Sequence, residues 1–290
     1  MHHSSKSARN RMQSAGGFTL VELLISVTVI VILAGMVLGA LNMAREEARA
    51  SATKATIAKL HRIIMERYES YQTRRVPLDL SGLSPRDAAR VRLHAIRDLM
   101  RMEMPDRLED IMNDPVPITV AGRQFAVQRP ALSILYRQRV GTQPVAQKYL
   151  TAKMLFLIVT LGTPEAREQF SHSEIGTTED GYQVFVDGWG TPIMFFRWAP
   201  GFTPESQIQT GDPVNDHDPL DPMGIEPNAY KLVPLIYSAG RDKRAGLEVM
   251  QGYVYQGNPY AGNRIGVPVV EDGYANTHRD NIHNHRIEAR

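Results

Sequence analysis

The sequence predicts an α+β fold, in which one long amino-terminal helix packs on a carboxy-terminal antiparallel sheet and a mostly helical insertion lies between them. The first observation is an apolar run over 18–41 that continues into a charged, alanine-rich stretch without glycine or proline. The second is a series of β-rich segments after Gly181, bounded by glycine and proline. Strands of this kind beside a helix with an apolar stripe give an α+β domain.

The composition leaves room for one membrane anchor and one or two modest globular units. The chain has 290 residues, of which 43% are apolar. Its formal net charge is +2, and it has no dense basic patch interleaved with aromatics, so we predict no nucleic-acid partner. The absence of cysteine excludes disulfides, thiolate metal sites and cysteine nucleophiles.

The apolar run over 18–41 is long enough to cross the roughly 30 Å hydrocarbon layer of a bilayer as a helix. Its one ionisable residue, Glu22, costs on the order of 2–3 kcal/mol there unless it is paired, so we expect a functional partner. Lys6, Arg9 and Arg11 precede the run and no acid does. This charge distribution predicts a cytoplasmic amino terminus and a head on the far side of the membrane.

The residues before the run are typical of a leader that is cut ahead of its apolar segment. Small residues lie at 14–17, whereas an ordinary secretory signal has them after its apolar core. Cleavage between Gly17 and Phe18 would make Phe18 the new amino terminus, close in sequence to Glu22. The contiguous string Gly-Phe-Thr-Leu-Val-Glu-Leu-Leu at 17–24 resembles the type IV pilins and type II secretion pseudopilins.

This resemblance implies that a prepilin peptidase removes the leader over 1–17 and that Phe18 is then N-methylated. It implies that the Glu22 carboxylate pairs with the amino-terminal amine of a neighbouring copy as the chain self-associates into a helical filament. Other pseudopilins and the inner-membrane assembly platform are the implied partners. The implied location is the inner membrane, single-pass, with a periplasmic head that is extracted into a periplasm-spanning filament. An uncleaved anchor with an incidental glutamate is the alternative.

The segment over 42–75 is predicted to continue the helix as an amphipathic stretch. Its apolar residues recur at spacings of three and four, and its charged face is expected to be solvated. The insertion over 76–181 carries no recognisable chemistry. Within it, Ser84 before Pro85 predicts a helix start, and Ala121-Gly122 predicts a hairpin turn. The apolar residues that recur along the segment over 42–75 form a stripe, which consists of Ile57, Leu60, Ile64, Tyr68 and Tyr71.

The head over 182–290 is predicted to contain strands at 182–186, 193–198 and 230–237, followed by loops. Pro234 indicates an edge position or a bulge for the third strand. The turn at 187–192, Asp-Gly-Trp-Gly-Thr-Pro, resembles the Asp-Pro-Trp-Gly-x-Pro motif of major pseudopilins, with Gly188 in place of the usual proline. The chain therefore resembles a major pseudopilin with a long insertion.

Two further segments resemble the two ends of the calcium-binding loop of major pseudopilins, namely Tyr-Ser-Ala-Gly-Arg-Asp at 237–242 and Arg-Asp-Asn-Ile at 279–282. The resemblance implies calcium as a cofactor, with Ser238, Asp242 and Asp280 among its oxygen ligands. Lys243 and Arg244 depart from the pattern, since two adjacent cations oppose a dication. A turn that is closed without metal is the alternative.

Two other sets of polar residues, one of histidines and one of aspartates, are predicted to lie on the surface and not to form a metal or catalytic site. His278, His283 and His285 lie in a polar terminal segment, and we expect mobile surface histidines there. The aspartates at 212, 216, 218 and 221 lie in a loop rich in proline and glycine, and their spacing does not match an EF-hand. We expect this loop to be solvated.

Together these features predict a non-enzymatic structural subunit of a type II secretion pseudopilus. One alternative keeps the same helix but builds a type IV surface pilus for attachment or DNA uptake. The other is a membrane-anchored enzyme or binding protein that uses the insertion over 76–181.

Overall fold

A computed structural model describes residues 19–141, 145–249, 255–270, 273 and 277–286. The chain divides into two compact units, Met1–Glu47 and Ala48–Arg290. The predicted long helix is confirmed, because α1 spans Leu20–Thr73. In the first unit its apolar side chains are exposed. In the second unit α1 buries the predicted stripe, which consists of Ile57, Leu60, Ile64, Tyr68 and Tyr71.

The unit Ala48–Arg290 contains four further helices and seven short strands among the described residues. The helices are α2 (Pro85–Glu103), α3 (Leu108–Met112), α4 (Ala131–Val140) and α5 (Leu150–Gly162). The strands are β1 (Ile118–Val120), β2 (Arg123–Phe125), β3 (Ile175–Thr177), β4 (Gln183–Phe185), β5 (Met194–Phe196), β6 (Leu235–Ser238) and β7 (Ile282–His283). Short 3₁₀ helices lie at Pro164–Gln169, His172–Glu174 and Thr277–Asp280.

The strands form three small antiparallel sheets, β1–β2, β3–β4 and β5–β6–β7. In the third sheet Phe195 pairs with Ile236, and Tyr237 pairs with His283. Pro234 was expected at an edge position or a bulge of a strand over 230–237, but that strand, β6, is central and begins one residue later, so Pro234 lies outside it. Pro234 contributes only its carbonyl, which accepts a hydrogen bond from Asn284 Nδ2 at 2.8 Å, so its missing N–H costs no ladder bond.

Two local predictions in the insertion are confirmed. Ser84 caps α2, since its Oγ accepts a hydrogen bond from the Asp87 N–H at 3.1 Å and Pro85 occupies the first helical position. Ala121 and Gly122 form the β1–β2 turn with φ of 49° and 73°. Positive φ at both positions is what a tight hairpin turn of the primed type requires.

The helical insertion shares its main hydrophobic cluster with β4, β5 and β6, whereas residues of β1 and β2 and other residues of β5 and β6 belong to two smaller clusters. Helix α5 is buried from Leu150 to Val159. The ring centroid of Phe185 on β4 lies 5.1 Å from the ring centroid of Phe156 on α5 and 4.4 Å from that of Phe170. Side chains from α1, α2, β5 and β6 complete the same cluster. The unit Ala48–Arg290 is therefore one α+β body.

Candidate assembly helix and carboxy-terminal loop

Glu22 lies in the first turn of α1 and forms a capping box with Thr19. The backbone N–H and the hydroxyl of Thr19 both donate to Glu22 Oε2 at 2.9 Å, and the Glu22 N–H donates to Thr19 Oγ1 at 3.2 Å. Such a box satisfies N–H groups that the start of a helix otherwise leaves unpaired. We did not predict this second role of Glu22, although the spacing Thr-x-x-Glu indicates it.

Helix α1 is the one helix in the described part of the chain that is long and apolar enough to cross a membrane. An 18-residue window within it has a mean hydropathy of 2.7, and none of that window is buried. The exposed large side chains run from Leu20 to Met43. The predicted cleavage site, Gly17 and Phe18, lies outside the described residues.

Residues 12–38 match the family model described as Prokaryotic N-terminal methylation motif. The chain is pilin-like and carries an N-methylation leader. A motif of this kind implies processing by a prepilin peptidase and assembly into a filament, and together with α1 it indicates a membrane-anchored protein. The match covers the leader and the beginning of α1, so the unit Ala48–Arg290 lies beyond it. No curated protein and no solved structure matches the chain.

The structure brings together the two segments that hold the residues predicted as calcium ligands. Asp280 Oδ2 accepts a hydrogen bond from the Asp242 N–H at 3.2 Å, across 38 positions in the sequence. Ser238 on β6 pairs with Ile282 on β7, which directly follows this region. Gly240 has a φ of +66°, and a Cβ there would lie 2.5 Å from the Asp280 carbonyl oxygen. The two ends of the loop are therefore closed against each other.

Much of the hydrogen-bonding capacity of these residues is used in closing the loop. The buried hydroxyl of Ser238 donates to Asp187 Oδ2 at 2.5 Å and accepts from the Gly240 N–H at 3.0 Å. Asp242 Oδ1 accepts from the Arg244 N–H at 2.8 Å. Burial raises the pKa of Asp187, against the opposing effect of its hydrogen bonds. Among the described residues no group of three His, Cys, Asp or Glu side chains is placed to hold a metal. The calcium site stays a prediction.

The expectation of mobile surface histidines was wrong for the residues that follow Asn281. His283 and His285 are 8% and 0% exposed, and their rings lie edge-on to Phe202 with centroids 4.9 and 5.4 Å away. The pairing of β7 with β6 draws this segment into the fold. Burial lowers the pKa of His283 to about 4 and that of His285 to about 3.

The expectation of a solvated aspartate loop was wrong for two of its four members. Asp218 is 4% exposed and its Oδ2 accepts from Arg97 Nη2 on α2 at 2.8 Å. Asp221 is 1% exposed and accepts the N–H groups of Ile225 and Glu226 at 2.9 and 2.8 Å. The buried guanidinium of Arg97 requires a counter-ion, and Asp218 of the loop supplies it.

Buried ion pairs also join the insertion to the sheet. Arg197 directly follows β5 and its side chain is fully buried. Its Nη1 lies 2.9 Å from Asp110 Oδ2 on α3, and its backbone N–H donates to Asp106 Oδ2 at 3.0 Å. These contacts give the charged residues of the insertion a structural role.

A groove of about 530 Å³ lies between the strap at 146–149 and the β3–β4 ribbon. Its two acids are paired with lysines, Glu179 with Lys148 at 2.9 Å and Asp180 with Lys153 at 2.6 Å. The described residues that line it include threonines but no histidine, which is the usual general base for a hydroxyl nucleophile. The enzyme alternative stays a prediction.

Proposed function

We propose that the chain is the structural subunit of a type II secretion pseudopilus, cut between Gly17 and Phe18 and assembled through its amino-terminal helix. The observation that carries the proposal is Glu22 at the start of an exposed apolar helix and within a methylation motif. Lipid or other copies must cover such a helix, and a carboxylate in that setting needs a cation. Cleavage supplies one, the new amine at Phe18 of a neighbour.

Two of the three segments that resemble major pseudopilins support the choice of a pseudopilus over a surface pilus. Asp187 of the Asp-Gly-Trp-Gly-Thr-Pro turn accepts hydrogen bonds from the Trp189 and Thr191 N–H groups and from the Ser238 hydroxyl. One carboxylate thus connects the turn to the segment at 237–242. In this proposal the head lies in the periplasm, and the partners are other pseudopilins and the assembly platform.

The experiment separates the charge of Glu22 from its capping role. Glu22→Gln keeps an acceptor for the capping box and removes the charge, whereas Thr19→Ala removes the two hydrogen bonds of the Thr19 hydroxyl and keeps the charge. We expect Glu22→Gln to abolish sedimentable filaments and Thr19→Ala to retain them. Filaments of Glu22→Gln at the parental level would contradict the proposal.

Processing is tested on the same material by intact-mass measurement of the membrane-extracted protein. We expect a product that begins at Phe18 and carries one methyl group, and full length when Gly17 is replaced by a bulky residue. A parental product that begins at Met1 would contradict cleavage. Loss of surface fibres with normal exoprotein release in a strain without this chain would favour the surface pilus instead.

We also propose that calcium binds the loop between Asp242 and Asp280. Calcium should raise the melting temperature of the parent relative to chelator, and it should have less effect on Asp280→Asn. That variant keeps an acceptor for the Asp242 N–H but removes a carboxylate charge. Superimposable parental curves with calcium and with chelator would remove calcium from the account.

A further inference from the structure

The exposed apolar side chains of the unit Ala48–Arg290 are not scattered. Six large ones are exposed among the described residues, and five of them lie either on α3 and α4 or on the loop over 212–223. Isolated exposed apolar residues are normal, whereas grouped ones mark interaction surfaces. Met112, Ile134 and Leu135 form the first group, at 40%, 45% and 48% exposure, and Val214 and Met223 form the second, at 86% and 54%.

The first group, with Arg137 and Arg139, is called the α4 patch. Ile134 and Leu135 lie on the outer side of α4, whose inner side is buried. Arg129 holds the end of α3 beside the start of α4, since its Nη1 donates to the Ile111 carbonyl and to Ser133 Oγ, both at 2.9 Å. This clasp places Met112 next to the α4 residues.

The α4 patch is apolar at its centre and cationic at one end. The last turn of α4 carries Arg137 and Arg139, and the helix contains no acid. Two acids, Glu109 and Asp114, lie at the α3 end, and Asp114 is paired with Arg129 at 3.3 Å. The cationic end is therefore the end remote from α3.

The second group lies on the loop over 212–223, which has the opposite charge. Val214 is held outward because Asp212 Oδ1 accepts the N–H groups of Val214 and Asn215 at 2.8 and 3.3 Å. The hydrogen bond from the Asn215 side chain lowers the pKa of Asp212 most, and the hydrogen bonds from these two N–H groups lower it further. Asp216 accepts from the Thr210 hydroxyl at 3.2 Å. Both carboxylates are stabilised by neutral donors and leave negative charge beside Val214.

We propose that the 212–223 loop of one copy docks on the α4 patch of the next copy in the filament. The inference rests on the proposed filament and names a head-to-head contact within it. The two surfaces match in chemistry, since each has an apolar centre and their flanking charges are opposite, which fixes partner and orientation. They are also different surfaces, and a contact between different surfaces can repeat from copy to copy along an open helical filament, as the proposed assembly requires.

The contact is weak when taken alone. An exposed ion pair contributes about 0.2–1 kcal/mol, so the docking depends on the high local concentration that the packed helices provide. The inference therefore concerns the register of neighbouring heads rather than the force that holds the filament together.

The experiment uses the absence of cysteine in the natural chain. The full-length chain with Ile134→Cys and Val214→Cys is assembled in its native membrane and treated with a short bis-maleimide. We expect a ladder of covalent multimers from the double variant and only monomers from each single variant. Ile134→Cys with Val270→Cys is the matched control, since Val270 is exposed but lies outside both surfaces, and it should give no ladder.

A separate Ile30→Cys variant reports helix packing in the same filaments. Helix cross-links without a 134–214 ladder would overturn the docking and leave the filament function standing. Loss of the helix cross-links would overturn the filament, and the docking with it. Dimers from Ile134→Cys alone would indicate a symmetric contact and also overturn the proposal.

A charge exchange tests the complementarity. Arg137→Glu and Asp216→Arg, each added alone to the double cysteine variant, should reduce the ladder about twofold to fivefold. The two together should restore it. Equal losses in the combined variant would overturn the proposed pairing of the two surfaces.

Discussion

Gly188 allows the turn at 187–192 to lie directly against α1, and its replacement by alanine should separate the two. A Cβ at this position would lie 2.4 Å from the Arg49 carbonyl oxygen and 2.8 Å from its carbonyl carbon. The Gly188 N–H donates to Thr53 Oγ1 at 2.9 Å, and Thr53 is fully buried. The contact therefore has no room for a side chain.

The size of the effect follows from these distances. Ordinary contact of a Cβ begins at 3.4 Å, so the alanine is about 1 Å too close to the carbonyl oxygen. The Arg49 carbonyl is helix backbone and cannot rotate away, so the turn must move. Overpacking of this kind costs about 1–3 kcal/mol, and the loss of the Gly188–Thr53 hydrogen bond adds about 1 kcal/mol. The free energy of unfolding should fall by about 2–4 kcal/mol.

The assay is urea unfolding of the detergent-extracted full-length chain, followed by the fluorescence of its tryptophans. With a slope of about 3 kcal/mol per molar urea, the midpoint should fall by about 1 M. Gly190→Ala is the matched control in the same turn. It meets nothing within 4 Å and has a φ of +80°, so it should lose only about 1–2 kcal/mol of conformational energy.

Two results would refute this reasoning. One is a Gly188→Ala midpoint equal to that of the parent. The other is recovery of stability when Arg49→Ala is added, because the clash is with backbone and removal of the Arg49 side chain should not relieve it. Gly188→Pro should be no better tolerated than alanine, since proline cannot donate to Thr53.

The remaining predictions use the same urea assay. His283 and His285 have pKa values below the usual 6.5, so the folded state binds fewer protons. Stability should be full above pH 6.5 and fall as the pH drops toward 4 and then 3; an equally steep fall in His285→Gln would discount that residue. Arg197→Met should cost about 3–5 kcal/mol by taking the nearest cation from the buried Asp110 carboxylate, and adding Asp110→Leu should recover part of the loss. Ser84→Ala should cost about 1 kcal/mol through the lost cap, and Ser84→Asp should not.

The sequence determined the features that depend on near neighbours. The apolar run, the stripe that continues it and the cap at Ser84 each follow from spacings of a few residues. The α+β architecture followed from the same patterns. Glu22 was identified because an isolated acid in an apolar run is costly, which is a property of the sequence alone. Its capping bond to Thr19 was equally local and was overlooked.

Only the tertiary structure decided which polar residues are buried. Asp218 and His285 lie in polar stretches that predict solvent exposure, yet both are buried. Asp218 pairs with Arg97, which is 121 positions away in the sequence. His285 Nδ1 lies 2.9 Å from Ser206 Oγ, which is 79 positions away. Burial of an ionisable group is favourable only where the fold has already placed its partner beside it. A local pattern carries no information about a partner so distant.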